Sequence, residues 1–374
     1  MVLAHSALTG ARVAVSLAAL SSSASSVFIG VAIGCFGLFP LLIAVSVGRW
    51  IDRVGSAKPM QIGFAIELSG LLLALLGPYP FALLPAALLI GTGLCIAQVS
   101  MQTTVGQATN QQNRHYAFGR VAIGASIASF TGPVSAGFLI DYAGFRVAFA
   151  AMGLLALGAL LWQGKLQKQA SQLFAQPVSN SNSEKRLLWD LIKNKPLLRL
   201  FLLSAALATA WDTFQFIMPI HGKNIGLSAS AIGLLLGTFA AAIFLVRVIM
   251  PWLNHRFSSW KILQAVFMIC MLSYVILPFI HSVALLFVVA FFLGLGLGAS
   301  QSNMLVLLHE AAPKHRAAEA VGLRTTFGNA SSFVLPTVFG AAGALIGFSG
   351  LFALVAVMMT AGSFVVHRYA RSLE

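Results

Sequence analysis

The stretch that decides the fold is Gly48-Arg-Trp-Ile-Asp-Arg-Val-Gly-Ser-Ala-Lys58, a short charged segment between two long apolar runs. A degraded copy follows as Pro251-Trp-Leu-Asn-His-Arg-Phe-Ser-Ser-Trp-Lys261, with its arginine and its lysine each 203 positions after their counterparts. The same gap-free offset relates residues throughout the chain: Gly30 and Gly233, Phe36 and Phe239, Gly91 and Gly294, Gln98 and Gln301, Pro133 and Pro336, Gly137 and Gly340, Gly144 and Gly347. A register held across half a chain predicts two copies of one structural unit.

The composition indicates a membrane protein. The chain is 59% hydrophobic and 9% charged, with a mean hydropathy of +0.90. A soluble protein of 374 residues cannot hide that much apolar surface. The apolar runs reach the ~20 residues that a spanning helix needs, and they lack the short alternating pattern of a membrane barrel. We therefore expect an all-α integral membrane protein.

Several function classes are disfavoured by the same residues. The net charge is +14, but the basic residues lie in short loops between apolar runs, which sets membrane orientation rather than forming a nucleic-acid face. The three cysteines, Cys35, Cys95 and Cys270, are odd in number and lie inside apolar runs, so we expect no disulfide and no metal site. We expect no cofactor, and no cluster of acid, base and nucleophile has the spacing of an enzyme site.

The apolar runs divide into six plus six helices around a polar linker. The predicted units are an N-terminal six-helix bundle over residues 1–163, a cytoplasmic linker over 164–196 and a C-terminal six-helix bundle over 197–374. Helix 7 is predicted to begin near Leu197, so helix 1 lacks several residues that its counterpart has. A short first helix and a late start site are both open explanations.

Orientation follows from the positions of lysine and arginine. The even-numbered connections hold most of them: Arg53, Lys58, Arg114, Lys185, Arg256, Lys261, Lys314 and Arg316. The positive-inside rule then predicts that both termini and the linker are cytoplasmic. We expect a monomer in the bilayer of a bacterial inner (plasma) membrane.

The loop between helices 2 and 3 carries a family resemblance. Twelve helices in two parallel repeats, a long basic linker and this loop resemble the major facilitator superfamily over essentially the whole chain. The matching loop residues are Gly48, Asp52, Arg53, Gly55 and Lys58. The resemblance implies a secondary transporter of a small organic molecule, which is not an enzyme. It also implies that the loop latches the cytoplasmic side in the outward-facing state.

The physical chemistry of the loop agrees with a latch. Gly48 is expected to let helix 2 approach a neighbour closely, and Gly55 permits a backbone turn that other residues resist. Asp52, at a helix end, can face a basic partner or the positive N-terminus of another helix. His255 replaces this acid in the second copy, so only the first copy can depend on an acid. A loop that merely orients the protein is the alternative, and Asp52 works against it.

Helix 5 holds a glycine–proline pattern that resembles the helix-5 signature of the superfamily's antiporters. Its residues are Gly124, Gly132, Pro133 and Gly137. The resemblance implies a hinge in this helix and favours export. Pro336 and Gly340 repeat the pattern in helix 11, so a bend or close contact shared by both halves is an equally weighted alternative.

The candidate site is the set of polar residues on helices 1, 4, 7 and 10, which line the central cavity in the superfamily, together with Arg324 at the start of helix 11. We expect these residues to bind substrate or coupling protons: Arg12, Gln98, Gln102, Trp211, Asp212, Gln215, Gln301, Asn303 and Arg324. Ionisable groups in hydrocarbon are costly and usually functional. For Glu67 and Arg247, a structural role is at least as well supported as a role in the site.

Asp212 is the strongest candidate for coupling. Arg12 maps onto position 215 by the repeat, so the two charges lie at similar depth on symmetry-related helices. Pairing in one state and separation in another would let a single acid take up and release a proton. A static pair that holds helix 1 against helix 7 is the alternative.

The sequence thus predicts a proton-coupled exporter. Two other functions are open: uptake of a nutrient or organic anion by proton symport, for which Arg12, Arg247 and Arg324 are suited, and a membrane sensor homologue without transport. The expected partners are a small-molecule substrate, protons and the lipid bilayer.

Overall fold

The computed structural model describes residues 1–77, 79–108, 111–169, 174, 193–280, 282–312 and 317–372. The first half contains α1 (Val2–Ser21), α2 (Ser26–Val54), α3 (Ala57–Leu76), α4 (Leu83–Ala108) and a long helix, Gln111–Gln169, which Gly144 breaks into α5 before it and α6 after it. The second half contains α7 (Lys195–Asn224), α8 (Ala229–Arg256), α9 (Ser259–Ile276), the 3-10 turn Leu277–Phe279, α10 (Val283–Ala311) and Ala317–Ser372, which Gly347 breaks into α11 and α12.

The all-α membrane fold with twelve helices in two repeats is confirmed. Across the described ranges the secondary structure is helical and contains no strand. Ten helices in these ranges are long and apolar enough to cross a bilayer, and one of them, Ala117–Gln169, contains both α5 and α6. The protein is therefore an integral membrane protein.

The backbone repeats with the same offset as the sequence. The breaks at Gly144 (φ 83°) and Gly347 (φ 71°) lie 203 residues apart, and so do the left-handed residues Ser23 (φ 55°) and Gly226 (φ 83°). Glycine tolerates this region of backbone space without a Cβ penalty, which explains its use at three of the four turns. Each half is thus one copy of the same unit.

Helix boundaries near the linker differ from the sequence-based expectation. The helix predicted to end before residue 164 continues to Gln169, and α7 begins at Lys195. Most of the predicted linker, with Lys185, lies outside the described residues, as do Lys314, Arg316 and the side chain of Arg114. The domain division at 163 and 197 therefore stays a prediction.

The helices alternate in direction, so the bundle has two faces. We call proximal the face with the turns at residues 55–56 and 257–258, and distal the face with the turns at 22–25 and 225–228. Near the distal face the halves meet along two seams, α2–α11 and α5–α8. A Cβ on Gly30 would overlap the Pro336 carbonyl oxygen, and one on Gly233 would overlap the Pro133 carbonyl oxygen.

Candidate substrate cavity

A polar cavity of about 310 Å³ lies between the two halves. Its walls come from α1, α7, α10 and α11, so both halves contribute. The lining residues are Arg12, Ser204, Leu207, Ala208, Trp211, Asp212, Ser300, Gln301, Met304, Arg324, Gly328 and Ser332. We call this space the central cavity.

Arg12 and Asp212 bring opposite charges to the central cavity from opposite halves. The Arg12 guanidinium lies over the Phe36 ring, with 5.6 Å between Cζ and the ring centroid. Asp212 is 8% exposed, and its two carboxylate oxygens accept hydrogen bonds from the Ser332 hydroxyl at 3.2 and 3.0 Å. Both charged groups therefore face the central cavity, one from each half, and their pairing stays a prediction.

Two further cavities adjoin the central one. A space of about 290 Å³ is lined by Gln98 and Gln102 and shares Arg12 and Ser332 with the central cavity. A space of about 20 Å³ is lined by Arg12, Asp212 and Gln215. The structure therefore brings together eight of the nine residues predicted for the site.

Asn303 is the exception. It is fully buried on α10 and lines none of the three cavities. Neither its amide nitrogen nor its amide oxygen has a hydrogen-bond partner within the described part of the chain. The register of α10 turns the neighbouring Gln301 and Met304 to the cavity instead, and sequence alone does not fix that rotation.

The central cavity carries an excess of positive charge. Arg324 Nε donates a hydrogen bond to Ser204 Oγ at 2.8 Å, which fixes a second guanidinium on the wall. Two guanidinium groups and one carboxylate give the lining a net positive charge, which favours an anionic ligand group. Guanidinium also binds carboxylates through paired hydrogen bonds.

An aromatic residue completes the wall. The Trp211 ring lies edge-on to Phe239, with 5.2 Å between ring centroids. Phe239 is the repeat counterpart of Phe36, which lies under Arg12. Equivalent phenylalanines thus support a cation in one half and an indole in the other.

Arg247 joins the halves beside this cavity. One guanidinium nitrogen donates to Ser126 Oγ at 2.7 Å and to the Ala122 carbonyl at 3.2 Å, both on α5, while the other donates to Gln301 Oε1 at 2.9 Å. The structural reading of Arg247 is therefore supported. Because Gln301 lines the central cavity, Arg247 also fixes one of the site residues.

The loop between α2 and α3 has one predicted feature confirmed and one wrong. Gly55 ends α2 with φ 81°, the turn expected of a residue without a Cβ. Gly48 does not make a close approach, since a Cβ there would meet no atom within 4 Å. Asp52, Arg53 and Lys58 are exposed, and the latch role of this loop stays a prediction.

The helix-5 residues lie at helix crossings. A Cβ on Gly132 would overlap the Thr9 hydroxyl of α1, and one on Gly137 would overlap the Ala229 carbonyl oxygen of α8. Pro133 contacts Gly233, as described for the α5–α8 seam, and a Cβ on Gly124 would meet the Val2 side chain of α1. A hinge in this helix stays a prediction.

Sequence reasoning missed three polar residues that the structure places at important contacts. Ser204 and Ser332 hold Arg324 and Asp212, respectively, and Asp141 contacts the start of α8 from the end of α5. Ser332 had a signal, because it repeats Ser129 by the 203-residue offset. Asp141 had only the general signal of an acid near a helix end, and its partner on α8 could not be predicted from the repeat.

Comparison with known proteins agrees with this architecture. Solved structures of POT family transporters resemble the chain closely: one in complex with a thioalcohol-conjugated peptide gives a TM-score of 0.84 at 14% identity, and one in complex with 5-aminolevulinic acid gives 0.80 at 15%. In both cases 99% of this chain and 94% of the other are covered. At such low identity these matches show the fold alone.

Curated relatives match over shorter stretches. The uncharacterized MFS-type transporter YhhS of Escherichia coli K12 is 30% identical over 133 residues, and an uncharacterized transporter of Buchnera aphidicola is 26% identical over 203 residues. The alignments cover 35% and 54% of this chain, and the chain spans 32% and 50% of the length of these two relatives. The family model of the Major Facilitator Superfamily matches residues 1–336 and 200–372. The chain therefore belongs to the Major Facilitator Superfamily.

Proposed function

We propose that the protein is a secondary transporter that moves a small organic molecule across the bilayer by alternating access, with protons as the coupling ion. The observation that carries the proposal is the pair Arg12 and Asp212, which face one cavity from opposite halves. Ionisable groups at membrane depth are costly and usually belong to a substrate or proton pathway. A charge pair split between the halves changes its geometry whenever the halves move, and coupling requires such a change.

The charge of the central cavity favours a substrate with a negative group. Arg324 can bind a carboxylate, while Asp212 can bind an ammonium group or a proton. 5-Aminolevulinic acid, which is bound in one of the structural neighbours, carries both a carboxylate and an amine. Small organic anions and zwitterions are therefore the proposed substrate class.

We favour uptake by proton symport over export. The expectation of export rested on the glycine–proline pattern of α5, and the contact of Pro133 with Gly233 gives that pattern a packing role that is independent of direction. Moving an anion into a cell with a negative interior costs ~2.3 kcal/mol per charge and 100 mV, and co-transported protons offset this cost. The basic loops orient the proximal face to the cytoplasm in this proposal.

The test uses proteoliposomes that contain a lumenal pH dye and labelled 5-aminolevulinate, dialanine or succinate as probes. The parent protein is expected to accumulate at least one probe when a proton gradient is imposed. Asp212→Asn should lose gradient-driven accumulation by about a hundredfold while it retains exchange of the same probe, because a neutral side chain cannot carry the proton. Ser332→Ala, which leaves the charge of Asp212 in place, is the matched control and should keep most of the accumulation.

Three outcomes would change the proposal. Unchanged gradient-driven flux in Asp212→Asn would remove this residue from both coupling and substrate binding. Full recovery in Arg12→Gln/Asp212→Asn would show a static pair between α1 and α7. No movement of any probe by the parent, in either direction, would favour the membrane-sensor alternative.

A further inference from the structure

Asp141 binds the start of a helix that belongs to the other half. It lies in the last turn of α5 before the break at Gly144. One carboxylate oxygen accepts the Ala229 N–H at 3.0 Å, and the other accepts the Ser230 N–H at 2.7 Å. Ala229 and Ser230 are the first two residues of α8, so the carboxylate satisfies two of the N–H groups that a helix start leaves unpaired.

This contact differs from an ordinary helix cap. The Ser228 hydroxyl already caps α8 by accepting the Ala231 N–H at 3.1 Å, and it does so from within the same half. Asp141 adds a negative charge at the positive end of the α8 dipole, and it adds it from across the seam. Since Asp141 is exposed, water screens the charge, and the two directed hydrogen bonds carry the specificity of the contact.

The glycine crossing just inside the distal face makes the contact possible. A Cβ on Gly137 would overlap the Ala229 carbonyl oxygen, so α5 can reach α8 because residue 137 has no side chain. Asp141 lies one helical turn further toward the distal face, where its carboxylate reaches the first two N–H groups of α8. The bonds therefore depend on the two halves being closed at this face.

The other seam does not share this acid. The repeat counterpart of Asp141 is Ala344, and alanine has no side-chain atom that can accept a hydrogen bond. At the start of α2, the counterpart of α8, the Ser25 hydroxyl caps the helix through the Phe28 N–H at 3.2 Å, as Ser228 does in α8. The acid that crosses between the halves at α5–α8 is therefore not inherited from the repeat.

We propose that Asp141 is a gating residue: its carboxylate binds the start of α8 while the distal face is closed and releases it when that face opens. The inference rests on the proposed alternating access, because a protein with one fixed conformation would have no such transition. Loss of the two hydrogen bonds destabilises the distal-closed state and leaves the free energy of the distal-open state unchanged. The equilibrium then shifts toward the distal-open state.

The test measures how quickly a buried position becomes reachable from the distal face. Val13 is 3% exposed and lines the cavity of about 20 Å³ beside Arg12 and Asp212, so Val13→Cys is the reporter, in a background without Cys35, Cys95 and Cys270. An impermeant maleimide is added to right-side-out and to inverted membrane vesicles, so that each face is presented in turn. No substrate is needed, which separates this test from that of the proposed function.

Asp141→Asn is expected to speed labelling from the distal face by roughly tenfold, since the amide keeps one acceptor oxygen and turns an NH2 donor toward the other N–H group. Ala229→Pro removes one N–H donor at the first helical position, where proline is tolerated, and keeps the acid, so it should give a smaller acceleration. Ser25→Ala is the matched control. It removes the equivalent hydroxyl cap at the start of α2, which Asp141 does not contact, and should leave the labelling rate within about twofold of the parent.

Two results would overturn the proposal. One is an unchanged labelling rate in Asp141→Asn, with the parent itself labelled measurably from the distal face. The other is an acceleration in Ser25→Ala as large as that in Asp141→Asn, because loss of any helix cap at the distal face would then be enough to open it. A parent that is never labelled from the distal face would instead count against alternating access itself.

Discussion

The two seams between the halves, α2–α11 and α5–α8, share their apolar contacts and differ in their polar ones. Gly30 packs against Pro336 in one seam, and Gly233 packs against Pro133 in the other, at positions related by the 203-residue repeat. Cross-half hydrogen bonds between described residues occur at both ends of α5–α8. Asp141 holds the distal end and Arg247 holds the part nearer the proximal face.

The comparison shows that the glycine contacts are common to both copies, whereas the cross-half hydrogen bonds are specific to one seam. Close packing needs a missing Cβ, a requirement that both copies share, so the glycines remain in both. A hydrogen bond across the halves would also repeat if both copies kept its donor and its acceptor, but the repeat counterparts of Asp141 and Arg247 are Ala344 and Ala44. Opening the α5–α8 seam must break directed bonds, whereas no hydrogen bond between described residues crosses α2–α11.

The largest effect is expected from substitutions of the glycines that both seams share. Gly30→Leu and Gly233→Leu each place a side chain where the opposite backbone lies, and overpacking of this kind costs about 1–3 kcal/mol or more. Both variants should show similar losses of folded yield and of thermal unfolding midpoint in detergent. Gly119→Ala on α5 is the control, since a Cβ there meets no atom within 4 Å, and it should behave as the parent. A loss in one seam alone would show that the seams are not equivalent in packing.

Much of the fold could be read from the sequence because apolar length and repeat register are both one-dimensional signals. The counterpart turns at Gly144 and Gly347 were visible as a repeated glycine, and the backbone has positive φ at both. The end of α6 at Gln169 was not visible, because a polar sequence can extend a helix beyond the bilayer without any apolar pattern.

The sequence predicts which helices carry the candidate site, but it does not predict which side of each helix faces the cavity. Asp212 and Gln301 do line the central cavity, whereas Asn303, two residues from Gln301, is buried elsewhere. Spacing along one helix cannot fix which side faces the other half. The partners of Arg247 on α5 could not be predicted either, because Ser126 belongs to a helix that is distant in sequence.

The second prediction concerns the loops at the proximal ends of α2 and α8, where the copies again differ in one acid. Asp52→Asn keeps the size of the side chain and removes its charge, and we expect normal insertion with transport reduced about tenfold, because the latch would lose a charge-assisted bond. The double variant His255→Ala/Arg256→Ala should lose about twofold, because the second loop has no acid. Transport of a 5-aminolevulinate probe in proteoliposomes measures both. Equal losses, or none in Asp52→Asn, would leave the loop with an orienting role alone.

The smallest effect is expected at Arg247, in the part of the α5–α8 seam nearer the proximal face. Arg247→Lys keeps the charge but loses the planar fork that reaches α5 and Gln301 at once, so transport should fall about three- to fivefold. Arg256→Lys, on the exposed last turn of the same helix, is the matched control and should change little.

Two single variants assign the loss at Arg247 to one of its partners. Ser126→Ala removes the shorter of the two cross-half hydrogen bonds of Arg247 and leaves the Ala122 carbonyl and Gln301 in place. If Arg247 serves the seam, Ser126→Ala should lower the maximal rate with an unchanged KM, because the conformational step slows while the cavity is intact. If Arg247 mainly fixes Gln301 in the cavity wall, Ser126→Ala should behave as the parent, and Gln301→Ala should raise KM instead. An unchanged maximal rate in Ser126→Ala would therefore show that the shorter hydrogen bond from Arg247 to α5 does not limit the conformational step.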